Sequence, residues 1–395
     1  MMRAQTVLIS GAGIAGTALG YWLLRHGMEP TLVERAPCFR QGGYMIDFWG
    51  LGYELAERMG ILSRLKSEGY FITEVRLVDQ FGARITGIDQ AAIRSVLKDR
   101  YLSILRGDLA NEIYRTVADR AEFVYGDGIT SIEQSAAGVR VTFARARPRE
   151  FDLLVGADGL HSTVRHLAFG NGSLKKYLGY YAASFSVRDY VRRDENVYIC
   201  YSIPGKQIAR YALRGNRSVF LFVWAADAEL RIPEHNSAVQ KEHLRQAFSG
   251  VGWESDAILE AMDFSDDFYF DPVCQVRTDR WSSGRVALIG DAAFCPSLLA
   301  GEGASLAMAA AYLLAGELQK SDGTPGVAFH EYERKFRPFI EEKQRSAEQF
   351  ARWFAPKSRF GIHVRNFAIR LTSSPRLAKW VMGRILSDRF ALPDY

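Results

Sequence analysis

The sequence predicts an α/β fold: a Rossmann-like parallel sheet assembled from separated segments, an inserted antiparallel-sheet domain, and C-terminal helices. Three observations predict it. An apolar run, Thr6-Val-Leu-Ile-Ser10, breaks into the glycine turn Gly11-Ala-Gly13-Ile14-Ala15-Gly16 and continues as a helix-forming stretch. Two later apolar strands each end by delivering an aspartate, at Asp158 and Asp291. Between them lie aromatic-rich segments with period-two alternation.

In chain order, Thr6–Ser10 reads as a buried parallel strand and Ala15–Arg25 as a helix closed by Gly27. Pro30-Thr-Leu-Val-Glu34 reads as a second strand, reached by the crossover that parallel pairing requires. In the turn, Gly11 permits the tight bend, Gly13 lets a pyrophosphate approach the backbone, and Gly16 lets helix and strand pack closely. The helix start at Ile14 and Ala15 offers free N–H groups and the positive end of a dipole. Glu34 ends the second strand where an acid accepts from ribose hydroxyls. Together these residues describe an adenine dinucleotide site. Arg35 follows, placed to stack on adenine, to meet a phosphate, or to lie solvated.

Further buried strands are expected at Glu122–Tyr125, Val139–Phe143, Asp152–Gly156 and Val286–Gly290. Asp152–Gly156 runs into Asp158-Gly159 and a helix. Val286–Gly290 delivers Asp291, Pro296 turns the chain, and Gly301-Glu-Gly303-Ala304-Ser305 opens another helix. Such an Asp accepts from ribityl or ribose hydroxyls, and the helix start serves a pyrophosphate; the same residues also suit plain helix capping. Thr73–Gly87 and Leu178–Val276 read as antiparallel sheet, with one wet and one covered face. After Gly303 the pattern is helical, with breaks near Asp322–Pro325, Ala355–Ser358 and Thr372–Pro375.

Composition narrows the function class. The 395 residues are 48% hydrophobic and 24% charged, enough to bury ordinary cores. A net charge of +5 on 50 basic and 45 acidic residues is too balanced for a nucleic-acid coat. The excess gathers in Pro356–Tyr395, where eight Lys/Arg face Asp388 and Asp394, on helices expected around Ala347–Phe354, Phe360–Leu371 and Arg376–Ile385. They suit a cap over the inserted domain or a membrane-surface contact. Cys38, Cys200, Cys274 and Cys295 form no paired motif, so neither a disulfide framework nor a metal site is expected, and the reading is a reduced, cytoplasmic chain. No apolar run reaches membrane-spanning length, so an integral membrane protein is not expected.

The motif order resembles that of the single-component, FAD-dependent aromatic hydroxylases of the para-hydroxybenzoate hydroxylase class, whose FAD domain is of the GR2 type. The resemblance rests on the glycine turn with Glu34, Arg106-Gly-Asp-Leu109, the Asp158-Gly159 motif and the Gly290-Asp291 motif, and spans Val7 to about Phe339. Arg40-Gln-Gly42-Gly43-Tyr-Met-Ile-Asp47, the run from Phe264 through Gly316 and the closing helices look most like the tetracycline-inactivating monooxygenases and related polyketide hydroxylases. The resemblance implies that Glu34 binds the adenosine ribose, Arg35 the adenine side and Arg106 the pyrophosphate or ribityl region. It places Asp47 near the flavin and Asp291 on the ribityl chain. It has Asp158 and Gly159 serve FAD and a transient NADPH or NADH, whose phosphates Arg40 meets. Phe294 stands where the family usually has His, Ser305 where it has Asn, and the Asp of a later helix is missing from Ala309–Ala311. These departures bear on flavin-edge hydrogen bonding and substrate reach.

The expected enzyme is an FAD monooxygenase that hydroxylates an electron-rich polycyclic or phenolic molecule with O2 through a C4a-hydroperoxyflavin. Baeyer–Villiger oxidation, desaturation and a non-catalytic flavin-bound polyketide binder are the alternatives. No side chain is required as nucleophile. Tyr198, Phe220, Phe222, Trp224 and Phe268 are the candidates for the substrate wall, though strand aromatics also serve as core. His161 is expected to cap or to lie at the surface. Residues 1–72, 98–168 and 280–340 are expected to form the FAD-binding domain, 73–97 and 169–279 the substrate domain, and 341–395 the helical segment. A monomer or weak dimer is expected.

Overall fold

Thr6–Ser10 pairs in parallel with Glu29–Glu34 on one side and Leu153–Gly156 on the other, because each is apolar on both faces and only a doubly covered sheet buries both. Around this trio a computed structural model of the protein builds a six-stranded sheet, in the order Ser282–Ser283, Val286–Leu288, Leu153–Gly156, Thr6–Ser10, Glu29–Glu34, Glu122–Tyr125. The structure describes residues 5–39, 42–170, 173–230, 232, 236–265, 267–322, 324–371 and 390–395. The expected helix within Arg376–Ile385 and the break at Thr372–Pro375 lie outside them.

The helix Ile14–Arg25 covers this sheet and packs against the long helix Gly303–Lys320, whose Ala309, Ala310 and Ala311 are fully buried. Small side chains there let two helix backbones approach closely. Val139–Phe143 is not a parallel strand. It forms a three-stranded antiparallel sheet with Ile129–Gln134 and Arg149–Phe151, its inner residues Val139, Val141 and Phe143 alternating with wetter ones. That alternation is the mark of a sheet with one open face.

The second large sheet has seven strands, in the order Phe268–Thr278, Ser173–Arg188, Arg217–Ala225, Lys206–Leu213, Val197–Ile203, Glu74–Val78, Arg84–Asp89. All neighbours are antiparallel but one: Val197–Ile203 runs parallel to Glu74–Val78, since the two come from distant chain segments with no hairpin between them. One face of the sheet packs Phe185, Phe220, Phe222, Trp224 and Ile208 against Leu244, Phe248, Ile258 and Met262 of the helices Ser237–Phe248 and Ser255–Ala261 and the turn after them. The other face carries Ala182, Val223, Ala209 and Cys200 and packs on Leu299, Ala351, Ala355 and Ile369 from later in the chain. A two-stranded ribbon, Met45–Trp49 with Tyr101–Leu105, lies at the junction.

The helices Pro325–Phe354 and Arg359–Leu371 close the described fold. Arg365, although charged, is buried. Its guanidinium donates to Gln207 Oε1 at 3.1 Å, the Phe354 carbonyl at 3.0 Å and Ser202 Oγ at 3.2 Å, fastening the last described helix over the seven-stranded sheet. No described helix is long and apolar enough to cross a membrane.

Candidate active site

The site grows from the glycine turn. Gly11 has φ +103°, and a Cβ there would lie 2.6 Å from the Ala157 carbonyl oxygen. Gly16 is tighter still: a Cβ would fall inside the Gly11 carbonyl oxygen, so the first and third glycines are demanded by the fold itself. Gly13 differs. Nothing lies within 4 Å of the Cβ it lacks, and it caps a helix with no side-chain cap and no acid in the first turn. That open space beside free helix N–H groups is a cradle for a phosphate.

Three motifs converge on this cradle. Gly290, at φ +59°, would place a Cβ 3.1 Å from that of Ala15 and 3.5 Å from that of Ala307. The Gly-Asp turn is therefore wedged between the two helix starts. Asp291 follows, with the backbone of Gly303 close to its carboxylate. The Gly303–Lys320 helix also begins without a side-chain cap or an acid in its first turn. Gly301 has φ +70° after a short turn, and Ser297, next to the buried Pro296, is held at the strained φ of +132°. Ser305 abuts Gly52, and Ala304 is half-buried beside it.

Several sequence candidates already have partners within the fold. Glu34 holds the loop: Oε2 accepts from Ala12 N at 3.0 Å and Oε1 from Ala36 N at 2.9 Å. Asp158 caps a helix, with Oδ1 accepting from Ser162 Oγ at 2.5 Å and Oδ2 from Thr163 N and Val164 N at 2.8 and 3.1 Å. Its neighbour Gly159, at φ +77°, has open space where a Cβ would sit. Leu109 is fully buried and packs in the core. Arg35 is exposed, its stem against Gly128. Arg40 lies outside the described residues. Phe294, the departure from His, points into an aromatic core with Trp281 and Phe336, away from the cradle.

Beyond the cradle, Tyr44, Asp47, Tyr198, Tyr269 and Asp291 are each enclosed by the bulk of the protein, yet each keeps accessible surface. Surface kept by groups so densely surrounded is concave, so these residues line a cavity. Asp47 accepts from Tyr101 Oη at 2.5 Å and Ser103 Oγ at 2.8 Å. Burial raises its carboxyl above the ordinary range, and those two hydroxyls oppose the rise. Burial likewise raises Asp291, against the pull of Arg106 and of the Cys295 thiol that donates to it. The Tyr44 hydroxyl is pushed up to about 12, chiefly by burial, and Tyr269 well above its usual value for the same reason. Both phenols therefore keep their protons at neutral pH. Arg106, exposed at the start of the helix Arg106–Arg115, makes no ion pair among the described residues and is the cation these groups feel.

The substrate-wall candidates divide by face. Tyr198 looks into the cavity. Phe220, Phe222 and Trp224 do not: they are 0%, 0% and 5% exposed, in the core behind the sheet. Phe268 sits on that same far face, with Lys241 over its ring. The physical reason is the pleat, since neighbouring residues point to opposite sides and alternation alone does not say which side is the cavity. The residues missed are the intervening ones. Tyr269 packs against Tyr44 with ring centres 5.5 Å apart and donates to Asp271, which is 3.4 Å from His161 Nε2. A hydroxyl in Phe268-Tyr-Phe270 followed by a carboxylate was the available signal. Among the described residues no group of His, Cys, Asp and Glu is placed to hold a metal ion.

The profile of the FAD binding domain family matches residues 4–342. An uncharacterized protein of Mycobacterium tuberculosis is 37% identical over 342 residues, covering 86% of this chain and 92% of that one. A flavin-dependent monooxygenase of Legionella longbeachae is 33% identical over 409 residues, covering 100% and 99%. The crystal structure of tetracycline destructase Tet(51) superposes with a TM-score of 0.85 at 31% identity, covering all of both chains. With two uncapped helix starts at the cradle and Asp291 beside them, the chain belongs to the FAD binding domain family as an FAD-dependent monooxygenase.

Proposed function

We propose that the enzyme uses NADPH or NADH and O2 to hydroxylate an electron-rich polycyclic or phenolic small molecule, polyketide- or tetracycline-like in skeleton. The observation that carries this reading is the enclosed cavity where Tyr44, Tyr198 and Tyr269 meet Asp47 and Asp291. Flat phenol rings suit a fused-ring skeleton, and a few polar groups orient it. The likeness to a tetracycline destructase supports the same substrate class.

The residues present fit FAD. The glycine turn and the Gly303 helix start would take the pyrophosphate, Arg106 its charge, Glu34 the adenosine ribose, Asp291 the ribityl hydroxyls, and Asp47 the flavin ring. The Asp158–Gly159 turn and Arg40 would serve a reductant that docks and leaves. In this reading residues 1–72, 98–168 and 280–340 hold FAD, 73–97 and 169–279 receive substrate, and 341–395 cover it. The division is supported by Glu74–Val78 and Arg84–Asp89 joining the seven-stranded sheet despite their place in sequence. FAD supplies the redox chemistry, taking a hydride from nicotinamide and activating O2. The chain's own groups orient and exclude water. Tyr44, protonated at neutral pH, would donate a hydrogen bond to a developing phenolate, Tyr269 donates its hydrogen bond to Asp271, and no side chain acts as nucleophile.

A screen of NADPH oxidation over polycyclic phenols, with mass spectrometry of the products, tests this. Substrate-stimulated oxidation and a product heavier by one oxygen atom are expected, with the ring connectivity retained by NMR. A ring-expanded product would mean Baeyer–Villiger chemistry, and oxidation without incorporation would mean desaturation. No stimulation by any phenol would leave a flavin-bound binder.

A further inference from the structure

A cleft of about 680 Å³ opens where the helix Leu62–Glu68 and the strand Tyr101–Leu105 meet the tips of the seven-stranded sheet. None of its lining residues belongs to the glycine turn or to either aspartate motif. Its charge leans positive, with Lys66, Arg94, Arg193 and Arg214 against Asp99 and Glu195. Arg193 is matched by Glu195 at 3.0 Å, but Lys66, Arg94 and Arg214 have no carboxylate partner among the described residues.

Two of these cations are fixed in place by the fold. Arg214 donates to the carbonyls of Glu68 at 2.7 Å and Gly69 at 2.5 Å and lies over the Tyr70 ring. Arg94 donates to the Ile72 carbonyl at 3.3 Å and lies over the Phe71 ring, which remains 61% exposed. Carbonyl hydrogen bonds position these guanidiniums, and neither makes an ion pair among the described residues, although Asp108 lies near enough to Arg214 to feel its charge. A ligand anion would find them already ordered, which lowers the cost of binding. The surface that Phe71 leaves exposed beside Arg94 suits a flat ring.

Two contacts run from this cleft to the internal cavity. Tyr101 lines the cleft and donates its hydroxyl to Asp47. Tyr70 lines the cleft and packs edge-on against Tyr211, 5.6 Å between ring centres, and Tyr211 in turn lies 6.3 Å from Tyr198. The Tyr211 hydroxyl is buried and has no hydrogen-bond partner among the described residues, so the wall between cleft and cavity is polar but incompletely bonded.

We infer that this cleft is a second ligand site, separate from the cavity, for a small aromatic anion: a planar ring bearing a carboxylate, sulfonate or phosphate. Its occupancy is transmitted to Asp47 through Tyr101. The site goes beyond the proposed hydroxylation and does not depend on it.

Isothermal titration of the FAD-loaded enzyme with 1-naphthoate, and with 1-naphthol as the uncharged comparison, tests it without turnover. Saturable binding of naphthoate is expected, at least tenfold tighter than naphthol, a difference of about 1.4 kcal/mol. The Arg94→Gln, Arg214→Gln double variant should weaken naphthoate tenfold or more. Phe71→Ala, at a position too exposed to threaten folding, should weaken it severalfold. Tyr198→Ala, in the cavity, should leave it unchanged. Saturation should also perturb the flavin absorbance band in the wild type and not in Tyr101→Phe. Loss of binding in Tyr198→Ala would place naphthoate in the cavity and overturn the site, as would wild-type affinity in both the arginine and the Phe71 variants. Naphthoate binding that leaves the flavin band unmoved would overturn the link to Asp47.

Discussion

In the loop Gly11–Gly16 a residue's part follows from its own backbone and nearest neighbours. In the strand Arg217–Ala225 it follows from which side of the sheet the residue faces. Gly16 is glycine because a carbonyl oxygen occupies the place of its Cβ, while Gly13, three positions earlier, has open space there. Phe222 and Val223 are adjacent and equally buried, yet one packs on Leu244 and Phe248 behind the sheet and the other on Leu299, Ala351 and Ala355 on its opposite face. The comparison teaches that a motif can be read one residue at a time, whereas a sheet has to be read as a surface.

The sharpest way to break this comparison is within the loop. Gly16→Val drives a side chain into the Gly11 carbonyl and should leave little folded protein in the soluble fraction. Gly13→Ala should fold with an unchanged melting temperature in the absence of FAD but purify with less of it, since only the cradle is filled. Absorbance at the flavin band and thermal unfolding measure both; equal outcomes for the two glycines would erase the distinction between fold and ligand roles.

Within the strand, Phe222→Ala should cost about 3–5 kcal/mol of stability, the usual loss for a fully buried phenylalanine, with little change in KM for a substrate. Tyr198→Phe should do the reverse, raising KM while the denaturation midpoint holds. If Phe222→Ala changed KM without loss of stability, the assignment of faces would be inverted.

Asp291→Ala sharpens the comparison at the motif that joins the two sheets. Losing hydrogen bonds to a charged acceptor is worth roughly 1.5–3 kcal/mol, so FAD affinity should fall about ten- to a hundredfold, read by flavin fluorescence on titration. Wild-type affinity would reduce Asp291 to a helix-start acid.

The smallest effect is a pH dependence. Burial raises the Asp47 carboxyl, so the folded form holds that proton more tightly than the unfolded chain does. Its contribution to stability is full below the ordinary carboxylate range and is lost as pH rises through the raised value. Asp47→Asn keeps an oxygen for Tyr101 and Ser103 but carries no charge. With FAD in excess, its melting temperature should gain on the wild type as pH rises from 4 through the raised value, and the gain should level off above it. A constant difference across that range would remove burial of the charge as the cause.

Much of the parallel-sheet half was determined by the sequence itself. The turn Gly11–Gly16, the acid at Glu34, the Asp-Gly and Gly-Asp turns and the helix from Gly303 stand in the structure as expected, because each depends on interactions within a few residues or on a backbone conformation that glycine favours. Even there, tertiary structure adds contacts the motifs do not show: Asp158 and Glu34 accept from backbone N–H groups, and Phe294 turns into the Trp281 core. In the seven-stranded sheet the alternation was legible but its phase was not. Phe220, Phe222 and Trp224 are core, and Tyr269 packs on Tyr44 instead, because the helices Ser237–Phe248 and Ser255–Ala261 cover one face. The clustering of Tyr44, Asp47, Tyr269 and Asp291 was equally hidden, since strands more than 200 residues apart in sequence bring them together. Hydrophobic pattern fixes which residues alternate; only the packing of distant elements decides which set is buried in core and which lines the cavity.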